Sequence, residues 1–358
     1  MIPHVIAPRN RREFLRLAGA GFGAVALSAL EAESKAVASE TPTRGKPHFP
    51  AKAKSVIFLF MEGGPSHIDT FDRKPELNVR AGQPLPASFG KVITPMGTGV
   101  NKLLACKRKW AKHGKCGMEI SDWLPHMAHH ADDLAVVRAC WADGLNHVGS
   151  VGQMNTGSIL AGKPSLGSWA IYGLGSENKN LPGFIVLTDQ GEVTGGAKNW
   201  GTGYMPSTYQ GTLFRPGDQP ILNLGTPKDV GDNRQQAKLG LIGDLNAIHQ
   251  RQRPGDSELD ARQKAYELAY RMQASAPETV DFSKEDARTK DEYGLNDKET
   301  AEFGHRCLLA RRLVERGVRF VQIYCARAVN GTPIPTSKGT TRRCAVGRTS
   351  RPRHFWPI

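Results

Sequence analysis

The sequence predicts an α/β protein built on a doubly wound, mostly parallel sheet with flanking helices. Four short, continuous apolar runs carry this expectation: Val56–Met61, Leu134–Ala139, Phe184–Leu187 and Val318–Cys325. They are rich in β-branched and aromatic residues, as strands buried on both faces of a parallel sheet are. Segments with helical spacing lie between them, so strand and helix alternate along the chain. At 358 residues the chain can bury a substantial core in one large or two moderate domains.

Directly after the first run come Glu62, Gly63, Gly64, Pro65, Ser66, His67 and Asp69. Ligands of open α/β sheets bind beyond the carboxyl ends of the strands. Glu62, His67 and Asp69 are therefore candidate metal ligands. The same residues also read as a Gly-Gly-Pro turn with a solvated acid, with His67 in the turn and Asp69 as a helix cap before Thr70 and Phe71. Residues 72–99 are dense in Pro and Gly and read as loop. Asp122 is placed to cap a helix over Trp123–Asp132. On it His126 and His130, four residues apart, form either a ligand pair or a partly buried face.

The second run, Leu134–Ala139, leads through a polar loop to His147 and Ser150, at or near the start of a helix that reaches Thr156-Gly157. Helix N-termini bind anions through free backbone N–H groups. His147 and Ser150 are the candidate catalytic residues, with His147 also a candidate metal ligand. Residues 189–233 are Gly-rich and irregular, more lid than core. Ser257 is placed to cap a long helix with apolar positions Ala261, Ala265, Leu268, Ala269 and Met272. Asn296 with Glu299 resembles a capping box for a further helix through Phe303, Cys307 and Val314, ended by Gly317. On it Arg311, Arg312, Glu315 and Arg316 read as a solvated face with internal ion pairs.

The formal charge of +14 is unevenly spread. Residues 326–358 hold seven Arg or Lys and no acid, and residues 1–38 are +2, leaving +5 for residues 39–325. Without a basic stripe interleaved with aromatics, a nucleic-acid role is disfavoured. Asn10-Arg11-Arg12-Glu13-Phe14-Leu15, the small-residue apolar stretch Leu17–Leu30 and Ala36-Val37-Ala38 have the order of a twin-arginine export signal with its cleavage site. An amphipathic N-terminal helix is the alternative. No window is long and apolar enough for a stable membrane span. The protein is expected to be exported to the periplasm or beyond. Of six cysteines, none forms a C-x-x-C pair. Cys106 and Cys116 flank a basic loop and are placed to bridge in an oxidising compartment, whereas Cys140, Cys307 and Cys325 read as buried thiols.

The motifs MEGGPSHIDTFD, NHVGSVGQMNTGSILAGKPSLGSW, ELDARQKAYELAYRMQ and FGHRCLLARRLVERGVRFVQIY, behind the twin-arginine signal, together resemble the secreted, sulfatase-like family filed as domain of unknown function 1501. The resemblance runs over about residues 9–325. It implies an alkaline-phosphatase-like fold and metal-dependent hydrolysis of sulfate or phosphate esters, with zinc, calcium or magnesium as the divalent metal. A sulfated or phosphorylated glycan is the implied partner. The superfamily ends its first core strand in a metal-binding aspartate, and Glu62 stands at that place. Its nucleophile precedes a Thr-Gly pair by a few residues, which puts His147 near that position and Ser150 one turn on. A C-x-P-S-R sulfatase motif is absent from the sequence.

The implied organisation is a signal peptide at 1–38, a linker at 39–54, a sulfatase-like α/β domain at 55–325 lacking its C-terminal part, and a disordered basic tail at 326–358. The acid-free, Arg-rich tail departs from the family and has the composition of a shifted reading frame. The expected consequence is an inactive chain. The alternative function is a non-catalytic exported protein of the same fold that recognises an anionic glycan or a protein partner.

Overall fold

The computed structural model describes residues 50–324 apart from 51, 63–65, 91, 139, 190–192, 218–219, 222–230, 254–256 and 299. The expected export signal, most of the expected linker, Glu299, Cys325 and the basic tail lie outside the described residues. A compact unit begins at Ser55.

Its centre is a four-stranded parallel sheet. The strands are β1 (Val56–Phe60), β4 (Phe184–Leu187), β5 (Thr212–Phe214) and β6 (Phe320–Tyr324), in the order β1-β6-β4-β5. A separate antiparallel hairpin is made by β2 (Trp110–His113) and β3 (Met118–Ser121). In the sheet Val56 pairs with Phe320 and Phe60 with Tyr324, while Phe184 also pairs with Phe320. All carboxyl ends therefore point one way.

The side-chain alternation of strands splits the core in two. Ile185, Leu187, Val321 and Ile323 face one way, onto Met272 and Ala276 of helix α6 (Ser257–Val280) and Phe303, Leu309 and Leu313 of helix α8 (Ala301–Glu315). Phe184, Val186, Phe320 and Tyr324 face the other way. They meet Val151 of helix α3 (His147–Thr156), Ala170 and Ile171 of helix α4 (Leu166–Leu174), and Trp200. Helices thus cover both faces, which is the α/β layering expected. Each fully buried aliphatic or aromatic side chain here contributes about 1.5–3 kcal/mol by leaving water. A third, smaller cluster of Ile120, Leu124, Ala128 and Ala131 fills the space under the hairpin. The remaining helices are α1 (Pro75–Val79), α2 (Pro125–Ala128), α5 (Asp232–Gln252) and α7 (Ala287–Glu292). Among the described residues no helix is long and apolar enough to cross a membrane.

Several expectations are corrected. Leu134–Ala139 does not form a strand: residues 134–138 pair with no sheet, and Val137 is 76% exposed. A short apolar run without a ladder partner has nothing to bury it, and its composition cannot reveal that. The first strand is not buried on both faces, because it lies at the sheet edge, with Val56 43% exposed and only Phe60 buried. The Pro- and Gly-rich stretch after it holds α1 and short 3₁₀ turns, and the irregular 189–233 segment holds β5 and the start of α5.

Asp122 does not cap the next helix. Its carboxylate accepts from the Lys109 N–H and pairs with Arg108, and α2 spans only Pro125–Ala128. Thr300, rather than Asn296, stands before α8, and the Thr300 hydroxyl donates to the Gly294 carbonyl at 2.7 Å. At its other end Gly317 turns the chain with a φ of 84°. Ser257 is the first residue of α6, whose inward positions are Leu268, Met272 and Ala276, while Ala265 and Ala269 are exposed.

Arg312 is buried, not solvated. Its guanidinium donates to the Glu278 and Thr279 carbonyls near the end of α6 and pairs with Glu285. Positive charge at a helix C-terminus is favourable there. Arg311 does make the internal pair with Glu315, at 3.3 Å. Cys106 and Cys116 are free thiols, and Cys140 is exposed rather than buried; Cys307 is half-buried.

Candidate functional site

The chain leaves β1 at Phe60 and reaches Glu62 at the carboxyl edge of the sheet. Glu62 is only 5% exposed. Its Oε1 accepts a hydrogen bond from the Thr194 N–H at 2.8 Å, and its Oε2, also buried, has no partner among the described residues. Burial of a carboxylate oxygen without a partner is costly, so such an atom calls for a cation, a water or a proton. Thr194 belongs to the loop after β4. Its carbonyl accepts from Asn199 Nδ2 at 2.8 Å, which fixes the amide so that Asn199 Oδ1 is the second buried oxygen without a partner among the described residues.

Beside Glu62 stands the end of β6. Tyr324 packs edge to face against Phe60 and Trp200. Its phenol is held well above its ordinary range, chiefly by burial and further by the Glu62 carboxylate beside it. The hydroxyl donates to Asn155 Oδ1 at 3.2 Å, and Gln322 Nε2 donates to both Asn155 Oδ1 and the Tyr324 hydroxyl. Asn155 Nδ2 in turn donates to the Val151 carbonyl at 2.7 Å. This buried polar network anchors α3 to the central strand.

On α3 the residues His147, Val151 and Asn155 recur every four positions and share one face. Asn155 contacts β6 and Val151 joins the apolar cluster of Phe60 and Tyr324. His147, about 12 Å along the axis from Asn155, is the first residue of the helix and is exposed. The Asn146 side chain caps that end by accepting from the Gly149 N–H at 2.8 Å. Gly157 closes the other end with a φ of 75°. The Ser150 hydroxyl donates to the Gly144 carbonyl at 2.8 Å. Its proton therefore fastens the approach loop, while its lone pairs stay available as acceptors.

The other candidates from the β1 exit turn away from Glu62. His67 opens a 3₁₀ turn, His67–Asp69, with an exposed side chain and a carbonyl that receives the N–H groups of Thr70, Phe71 and Asp72. Asp69 does not cap a helix. Its Oδ1 accepts from the Cys106 thiol at 3.0 Å, and its carbonyl accepts from the Ser121 hydroxyl of β3. Asp69 thus ties the turn to the hairpin. His126 and His130 are both half-buried, with His130 Nδ1 3.7 Å from an Asp133 carboxylate oxygen. Among the described residues, no three His, Cys, Asp or Glu side chains gather closely enough to hold a metal ion.

The donor set bears on which metal would fit. The Glu62 carboxylate and the Asn199 amide oxygen are hard donors, suited to calcium or magnesium more than to zinc, which favours imidazole and thiolate. Sequence reasoning missed Thr194, Asn199, Asn155 and Tyr324. Gln322 was the available signal: one polar side chain inside the apolar strand FVQIY must find a buried partner.

No curated protein and no solved structure matches this chain. A family model described as a protein of unknown function (DUF1501) matches residues 53–327, which takes in the whole sheet and both helical layers. The chain belongs to the DUF1501 family.

Proposed function

We propose that this protein is an exported, sulfatase-like or alkaline-phosphatase-like protein, built for metal-dependent hydrolysis of sulfate or phosphate esters. The reaction centre would lie at the carboxyl ends of β1, β4 and β6. The observation that carries the reading is Glu62, a carboxylate buried where the strands end, with one oxygen fixed by Thr194 and the other without a partner among the described residues. A divalent metal, when bound, would draw charge from the ester oxygens. Glu62 and Asn199 would hold it from the sheet side. His147 at the first turn of α3 would meet the anion with the free N–H groups of that turn. The superfamily likeness that suggests sulfate or phosphate esters comes from sequence motifs alone.

Turnover by this chain is expected to be low, because Glu62 has no complete ligand set around it among the described residues. The same observation favours a second reading, a non-catalytic exported protein that binds an anionic glycan on this fold. Metal analysis of the purified chain, with nitrophenyl sulfate and nitrophenyl phosphate as substrates, separates the two. Bound divalent metal with any turnover that Glu62→Gln abolishes supports the hydrolase. Anion binding with neither metal nor turnover supports the binder.

A further inference from the structure

The loop that holds Glu62 also carries a group of exposed aromatic rings. From Thr194 it runs past Trp200, and the Gly201 carbonyl accepts from the Ser165 N–H and the Ser168 hydroxyl at the start of α4. It then brings Tyr204 and Tyr209 against Trp169 and Tyr172 of α4. The Trp169 ring lies 6.2 Å from Tyr172 and 6.3 Å from Tyr204, with interplanar angles of 82° and 75°. Tyr209 packs on Tyr172 at 5.3 Å. The rings fix one another edge to face. Yet Trp169, Tyr172 and Tyr204 remain 45%, 51% and 65% exposed.

Polar groups accompany the rings. The Lys163 ammonium lies 5.8 Å from the centre of the Tyr204 ring. Among the described residues it pairs with no carboxylate, and the hydroxyls of Tyr172, Tyr204 and Tyr209 have no protein partner. The two loops are pressed together. Gly203 has a φ of 56°, and a Cβ there would fall 2.5 Å from the Gly162 carbonyl oxygen. Lys163 and Tyr204 are therefore held side by side.

We propose that this surface is a saccharide subsite for a sugar ring bearing a sulfate or phosphate group. The C–H face of a pyranose fits the electron-rich face of an aromatic ring. The phenolic hydroxyls match sugar hydroxyls as donors and acceptors, and Lys163 matches the anionic group. An apolar protein partner would strip water from an ammonium and three phenols without replacing it. A nucleic-acid strand needs a row of cations along its backbone, and among the described residues Lys163 is the one cation that lies over these rings. The inference names the substrate class of the proposed function and rests on that reading for the anionic group.

Titration calorimetry of the full chain tests it. The probes are a sulfated carrageenan tetrasaccharide, its desulfated counterpart and a phosphorylated mannan oligosaccharide. The wild type should bind at least one anionic probe. Trp169→Ala and Tyr204→Ala should each weaken that binding roughly tenfold. Lys163→Gln should weaken the anionic probe and leave the desulfated one unchanged. If Trp169→Ala fails to fold by circular dichroism, the two exposed substitutions Tyr204→Ala and Lys163→Gln carry the test. Wild-type binding to no probe, or affinities unmoved by these substitutions, overturns the proposal. So does a wild-type dimer that Tyr204→Ala turns into a monomer, since the patch would then be covered by a second copy. Turnover of nitrophenyl esters, which lack a sugar, is read in the same preparations. Sugar binding with neither bound metal nor turnover leaves the subsite standing and removes the hydrolase, and turnover without sugar binding removes the subsite and leaves the hydrolase.

Discussion

Tyr324 donates its hydroxyl to Asn155 Oδ1 at 3.2 Å, joining the last residue of the central strand to a helix that precedes it by 169 positions. Gln322 completes the triangle. Asn155→Leu should destabilise the protein by about 2–3 kcal/mol, because the buried Tyr324 O–H loses its acceptor and Gln322 Nε2 keeps only the Tyr324 oxygen. Tyr324→Phe should cost only about 1 kcal/mol, since Gln322 keeps Asn155 as a partner. Urea midpoints of both variants check the difference. Equal losses would mean that the network does not hold α3.

The phenols of Tyr324 and Tyr293 are both raised above their ordinary 10.0 by burial, with Glu62 adding to the effect at Tyr324. The folded state then keeps protons that the unfolded chain releases. The stability this gives is fully present below about pH 10 and is lost as pH rises through the folded values. Unfolding midpoints should therefore fall from about pH 9 to about pH 11, and Tyr324→Phe should flatten the fall. An alkaline slope unchanged by that substitution would show that Tyr324 ionises alike in both states.

Gly304 sits inside α8 where the chain of Tyr293 crosses it. A Cβ there would stand 1.8 Å from the Tyr293 carbonyl oxygen. Gly304→Ala should cost about 3 kcal/mol or more by forcing α8 off the turn at Tyr293. Gly243, inside α5, has nothing within 4 Å of a Cβ, so Gly243→Ala should stabilise by about 1 kcal/mol. Thermal midpoints moving in opposite directions check both positions at once.

Arg312 holds the end of α6 through two carbonyls and pairs with Glu285. Arg312→Met should cost about 2–3 kcal/mol by leaving the Glu278 and Thr279 carbonyls without their donor, while Glu285 keeps Arg311 as a partner at 3.0 Å. Arg312→Lys should recover little, because an ammonium cannot span the same carbonyls and carboxylate. The double variant Arg312→Met with Glu285→Leu should lose more in the same urea series, because it also takes the carboxylate from Arg311.

The core strands Val56–Phe60, Phe184–Leu187 and Phe320–Tyr324 were legible because continuous β-branched and aromatic runs signal buried parallel strands. Leu134–Ala139 has the same composition and forms no strand, because sheet membership depends on a distant partner. β5 was not legible: Thr212–Phe214 is three residues long, too short for a pattern. At the site, the β1 exit was legible as a carboxylate at a strand end. That Glu62 would turn inward while Asp69 met Cys106 was not, since a glycine-rich exit leaves the direction of each side chain open. Asn155 and Asn199 sit in ordinary polar contexts, and only folding brings them to strand ends.

The most direct test of the Glu62 site is the thermal midpoint of the purified full chain with and without calcium, magnesium or zinc, compared with Glu62→Gln. The account predicts that one of these metals raises the wild-type midpoint by roughly 5 °C at a concentration about a hundredfold above its dissociation constant, and leaves Glu62→Gln unmoved. A midpoint indifferent to all three metals, or raised equally in both proteins, would contradict it.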